Sequence, residues 1–97
     1  MSIQSFGDQI TEDFFYDGDL PSKGCGWKQL QSKVARKLDM IDAADALTDL
    51  RQPPGNRLKK LKGDLDDYHS IRINDPWRVI FRWSNDGPEQ VEVVDYH

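Results

Sequence analysis

The sequence predicts an α+β fold in which N-terminal helices cover a small, curved antiparallel sheet. Two patterns carry that expectation. Apolar residues at Trp27, Leu30, Val34, Leu38 and Ile41 recur at spacings of 3, 4, 4 and 3, which puts them on one helical face. Downstream, three stretches rich in aromatic and β-branched residues (68–73, 77–83 and 91–96) are separated by turn-forming Asn74-Asp75-Pro76 and Asn85-Asp86-Gly87-Pro88. Strands joined by short turns form a meander, and its apolar face needs the helices as cover.

Taken in order, residues 2–6 alternate polar and apolar, as in a short half-buried strand. Asp8–Tyr16 reads as a short helix, with Asp8 as its candidate cap and Ile10, Phe14 and Phe15 as its apolar contacts. Asp17–Gly26, with three glycines and a proline, reads as a loop. The main helix starts at Trp27; its outer side shows Lys28, Lys33, Arg36 and Lys37, either a solvated face or a second grip on an anionic partner. Residues 43–50 are expected to be a short helical or irregular piece burying Leu47 and Leu50. Pro53-Pro54-Gly55 ends any helix and opens a basic loop.

The 97 residues are expected to form one domain, residues 1–97. No apolar run approaches the roughly 18 residues of a membrane span, which argues against a membrane partner. The lone Cys25 has no disulfide partner in the chain, which suits a reducing cytoplasm. With two His and one Cys far apart in sequence, no metal-ligand spacing is present, and neither metal nor other cofactor is expected.

Charge is unevenly distributed. Residues 51–82 hold eight basic and four acidic side chains, a local +4 within a chain of net −4. Because salt screens charge over about 8 Å, an RNA docking on one face feels the local excess more than the total. In the strands, side chains alternate, so Arg78 and Arg82 share one face and Trp77, Val79, Phe81 and Trp83 the other. Arg72 joins the basic stripe if the hairpin register permits. Guanidiniums gathered on one face call for an anion. The competing account pairs each with a carboxylate such as Glu92 or Asp95. His97 follows Asp95 and Tyr96 and is able to give or take a proton near neutral pH. Lysines held near a phosphate stabilise the charge of a pentavalent transition state.

The runs Arg51-Gln52-Pro53-Pro54-Gly55-Asn56-Arg57-Leu58, Leu61-Lys62-Gly63-Asp64, Ser70-Ile71-Arg72-Ile73-Asn74-Asp75, Trp77-Arg78, Phe81 and Val94-Asp95-Tyr96-His97 together resemble the HigB toxins of the RelE/ParE superfamily. Ala35-Arg36-Lys37-Leu38 and Ile41-Asp42-Ala43-Ala44 extend the resemblance to roughly residues 33–97. It implies a RelE-like fold and the toxin of a type II toxin–antitoxin pair: a ribosome-dependent mRNA endonuclease, cytoplasmic, partnered by a HigA-type helix-turn-helix antitoxin and meeting DNA only through it. By the same resemblance, Lys62, Arg78, Asp95, Tyr96 and His97 form or border the cleavage centre. Arg57, Lys59, Lys60, Arg72 and Arg82 hold RNA, with Lys59 standing where some members carry a histidine. Two alternatives share the fold: a binding module that poisons a protein target such as DNA gyrase, and a weakly active toxin that serves mainly as antitoxin partner.

Overall fold

The apolar stripe of the main helix meets the sheet as its spacing requires. In a computed structural model, which describes residues 2–96, Val34, Leu38 and Ile41 are fully buried and Trp27 nearly so. Removing three such aliphatic side chains from water contributes about 5–9 kcal/mol as an upper bound. The α-helix itself begins later than Trp27: residues Lys28–Leu30 form a 3₁₀ turn, and α2 runs Gln31–Ala43. The first helix, α1, runs Gln9–Asp17 and closes on Gly18, whose φ of 72° is the left-handed geometry that glycine adopts without a Cβ clash.

The sheet has four antiparallel strands in sequential order: β1 (Lys59–Lys60), β2 (Tyr68–Asn74), β3 (Trp77–Ser84) and β4 (Gly87–Asp95). The last hairpin turn is tighter than expected, and β4 starts at Gly87 rather than Val91. β1 lies inside the stretch read as loop; two adjacent lysines carry no alternation by which to recognise a strand. One sheet face bears Ile71, Ile73, Val79, Phe81, Val91 and Val93, which join Phe14, Trp27 and the α2 stripe in the main core. Cys25 packs at the edge of that core. Leu50 is buried and Leu47 only partly so. Among the described residues, no helix is long and apolar enough to cross a membrane.

Gly26 lies where Trp77 leaves no room. A Cβ at this position would come within 2.9 Å of two atoms of the Trp77 indole. Gly26→Ala is therefore expected to lower the unfolding free energy by about 1–3 kcal/mol in a urea titration. A decrease under about 0.5 kcal/mol, the range of ordinary surface changes, would show that the ring moves aside freely.

The N-terminal segment corrects two expectations. Residues 2–6 do not form a strand: Phe6 makes one isolated parallel bridge to Val91. The segment is nonetheless tied to β4 by Gln4 N to Pro88 O at 2.8 Å, Gly7 N to Val91 O at 2.8 Å and Val91 N to Ser5 O at 3.1 Å. Asp8 stands at the N-cap of α1 without a side-chain capping bond, and its buried Oδ1 has no hydrogen-bond partner among the described residues. Instead its charge acts on Glu92, whose carboxyl is pushed above its ordinary 4.5 by burial first and by Asp8 second. The folded protein thus holds that proton longer than the unfolded chain does. Stability falls as pH rises from 4.5 through the raised value, and it stays lowered above it. Glu92→Gln is expected to raise the melting temperature at pH 7 and to flatten its decline between pH 4.5 and 7. An unchanged profile would remove Glu92 from the account.

Candidate active site

Strand register sorts the basic residues. Arg72 lies opposite Arg78, Ser70 opposite Ile80 and Tyr68 opposite Arg82 on β2 and β3, all on the face turned away from the helices. Lys59 lies opposite Ser70 and so borders the same face, whereas Lys60, opposite His69, belongs to the other. On β4, Val94 and Glu92 sit opposite Arg78 and Ile80. Ile80 and Leu61 are buried but stand outside the main core, so this face has an apolar floor of its own.

At one end of that face three guanidiniums converge. Arg78 donates from Nε to Ser70 Oγ at 2.8 Å and from Nη2 to the Arg57 carbonyl at 2.8 Å. Arg72 Nε meets Asp75 Oδ1 at 3.2 Å. Burial, and then the Arg72 charge, lower the pKa of Arg78, with a smaller contribution from Arg57; Asp75 and Tyr96 oppose them. The guanidinium stays protonated all the same. Arg72, through its hydrogen bond and then its charge, holds Asp75 below its ordinary carboxylate value. One exposed carboxylate thus faces three cations, and phosphate oxygens would match the remaining guanidinium edges.

The loop that supplies the Arg57 carbonyl is anchored by a buried amide. Asn56 is fully buried; its Nδ2 donates to the carbonyls of Leu50 at 3.1 Å and Gln52 at 3.2 Å, and its Oδ1 accepts from Lys37 Nζ. Arg57 follows with φ 47° and ψ 54°, left-handed geometry that few non-glycine residues adopt. Such a conformation persists only where its surroundings impose it. Here Asn56 holds one side and Arg78 the other.

The remaining expected site residues are more dispersed. Arg82 is four residues from Arg78 on β3, roughly 13 Å at about 3.3 Å per residue, and it is flanked by Asp67 Oδ2 at 3.9 Å and Glu89 Oε1 at 3.8 Å. Carboxylate pairing therefore does occur, at Asp75 for Arg72 and at Asp67 and Glu89 for Arg82. Lys62 is exposed and leads into the Gly63–Leu65 turn beyond β1. Antiparallel pairing of β1 brings that end level with Tyr68 and Arg82, away from Arg78. Asp95 lies opposite Trp77, on the helix side, while Tyr96 is near enough to act on Arg78, with its amide bonded to Pro76 O at 3.0 Å. His97 lies outside the described residues. His69 is on the helix side, stacked on Phe81 at 6.3 Å, with burial and then Lys60 depressing its pKa; the sheet separates it from Arg78. Ser70 and Asn56 are the two residues of the site that sequence reasoning missed. Among the described residues, no three His, Cys, Asp or Glu side chains gather as a metal site.

Comparison with known proteins agrees with this architecture. A family model described as the RelE-like toxin of type II toxin–antitoxin system HigB matches residues 4–97, reaching through the N-terminal thirty residues that carried little of the resemblance. Toxin HigB-1 of Vibrio cholerae serotype O1 is 40% identical over 82 residues, 80% of each chain. An uncharacterized protein of Haemophilus influenzae is 38% identical over 82 residues, 84% of this chain and 79% of its own. Endoribonuclease HigB of Proteus vulgaris is 31% identical over 65 residues, 67% of this chain and 70% of its own.

Proposed function

Because the chain belongs to the RelE-like HigB toxins of type II toxin–antitoxin systems, we propose that it is a ribosome-dependent mRNA endonuclease of the cytoplasm, a single catalytic domain held in check by a HigA-type antitoxin. The observation that carries this reading is the convergence of Arg57, Arg72 and Arg78 on the face opposite the helices, beside Tyr96. The name of the Proteus vulgaris relative, an endoribonuclease, supports the reaction class.

In this reading the ribose 2′-oxygen attacks the adjacent phosphorus, the 5′-oxygen leaves, and the products are a 2′,3′-cyclic phosphate and a 5′-hydroxyl. The 2′-hydroxyl makes RNA, and not DNA, the substrate. Arg78, fixed by Ser70 and the Arg57 carbonyl, stabilises charge on the non-bridging oxygens without reorganising. Arg72 and Lys59 hold the flanking backbone. Tyr96 borders Arg78, and the imidazole of His97, next in sequence, is the group assigned to proton transfer. Lys62 and Arg82 grip RNA farther along this face, Lys60 does so from the other side of the β1 edge, and Asp95 acts from the strand end. Alignment by the ribosome supplies much of the remaining rate, since well-oriented intramolecular attack is worth about 7–11 kcal/mol in favourable cases.

Primer extension on messages from cells expressing the protein tests the proposal. New 5′ ends inside translated frames, abolished when the start codon of the message is removed, are the expected result. Supercoiling defects without such ends would replace it with the gyrase reading. Growth arrest or antitoxin binding with neither effect would also reject it.

A further inference from the structure

A cationic cavity lies beside the arginine site just described. It has a volume of about 180 Å³ and is lined by Lys33, Arg36 and Lys37 of α2, Gly55 of the loop, and Arg72 and Ile73 of β2. We propose that this pocket binds a phosphate group, as a subsite distinct from the Arg57–Arg72–Arg78 cluster.

Its construction points that way. Lys33, Arg36 and Lys37 stand three and four residues apart, so one face of α2 presents all three charges, an arrangement that is unfavourable for the helix by itself. Arg72 adds a fourth charge from the sheet, and among the described residues no carboxylate lines the cavity. Asp75, the acid paired with Arg72, is fully exposed in the turn after β2. Lys37 is drawn toward the loop by Asn56 Oδ1, a neutral acceptor that leaves its charge uncompensated. Burial, followed by Arg36, Lys33 and Arg72, lowers the pKa of Lys37, in keeping with a site that gains by taking an anion. The cavity is open to solvent on one side. Arg72 contributes to both sites, which makes them adjacent stops for one polynucleotide backbone. Only this last identification, of RNA as the source of the phosphate, rests on the endonuclease reading; the pocket itself does not.

The test is a pair of titrations of the full chain followed by amide NMR, one with inorganic phosphate and one with a single-stranded RNA 2′-O-methylated throughout, which removes the attacking hydroxyl. Both are expected to shift the amides of Lys33–Lys37, Gly55 and Asn56 saturably. A Lys33→Gln/Arg36→Gln variant with an unaltered folded spectrum should bind phosphate at least about tenfold more weakly. The slope of its log K for RNA against log salt should become shallower by about 0.7 for each phosphate that the variant leaves unneutralised. If phosphate saturates the pocket but RNA leaves its amides unmoved, the source is a small phosphate-bearing molecule and the shared-backbone path is wrong. If RNA shifts the amides of Arg57 and Arg78 while neither probe saturates the pocket, the pocket proposal falls and the endonuclease reading stands. Equal affinity in the double variant also overturns it.

Discussion

Arg78→Lys is expected to lower mRNA cleavage by about 100-fold or more, the loss seen when a single preorganised donor is taken from a developing oxyanion, although the charge is kept. The reason is geometric. Arg78 uses Nε for Ser70 Oγ and Nη2 for the Arg57 carbonyl, so two edges of one rigid plane fix where its remaining N–H groups point. A lysine ammonium is a flexible point charge and does not reproduce that fork. The same substitution at Arg82 provides the comparison: its carboxylate partners are distant, at 3.8 and 3.9 Å, and the side chain is 46% exposed. Exposed pairs of this kind are worth about 0–1 kcal/mol, so Arg82→Lys should change cleavage by only a few fold. The measurement is the yield of cleaved message at matched amounts of folded toxin. Equal losses at the two positions would mean that the face acts through bulk charge, and the role given to Arg78 would fail.

The contrast between these arginines marks what the sequence made legible. Alternation along β3 placed Arg78 and Arg82 on one face, and the structure agrees. It also placed the helices over the other face, because an apolar stripe and an apolar strand face need one another. What alternation does not carry is register and partner choice. That Arg72 stands opposite Arg78, and that Lys62 belongs to the Arg82 end, follow from where β1 and β2 pair, and β1 is only two lysines long. Ser70 and Asn56 were invisible for a related reason: each acts through a partner distant in sequence, Arg78 for the one and Leu50, Gln52 and Lys37 for the other. The N-terminal segment failed differently. Its polar–apolar alternation is real, but it meets β4 through scattered bonds from Gln4, Ser5 and Gly7 and one bridge, too few for a strand.

Asn56→Ala is expected to remove about 2–4 kcal/mol of stability, because it strips the amide donor from the buried carbonyl of Leu50 and from that of Gln52, and buried groups left unpaired cost about 1–3 kcal/mol each. Against a total of about 5–15 kcal/mol for a domain, that is severe, yet it leaves a folded population to assay at low temperature. Chemical denaturation measures the loss. Asn56→Asp separates the two halves of the amide: it keeps an acceptor for Lys37 but places carboxylate oxygens against two carbonyls, so it should be at least as damaging as alanine. If the aspartate variant is instead near wild type, the Lys37 hydrogen bond, and not the carbonyl pair, is what holds the loop. The functional consequence follows through Arg57. Without the amide anchor, only the turn's own bonds from Asn56 N to Pro53 O and from Arg57 N to Pro54 O restrain that side of the loop, and the carbonyl that positions Arg78 drifts. Cleavage per folded molecule should then fall as well as stability. A variant that loses stability but cleaves normally once corrected for its folded fraction would disconnect the loop from the arginine site.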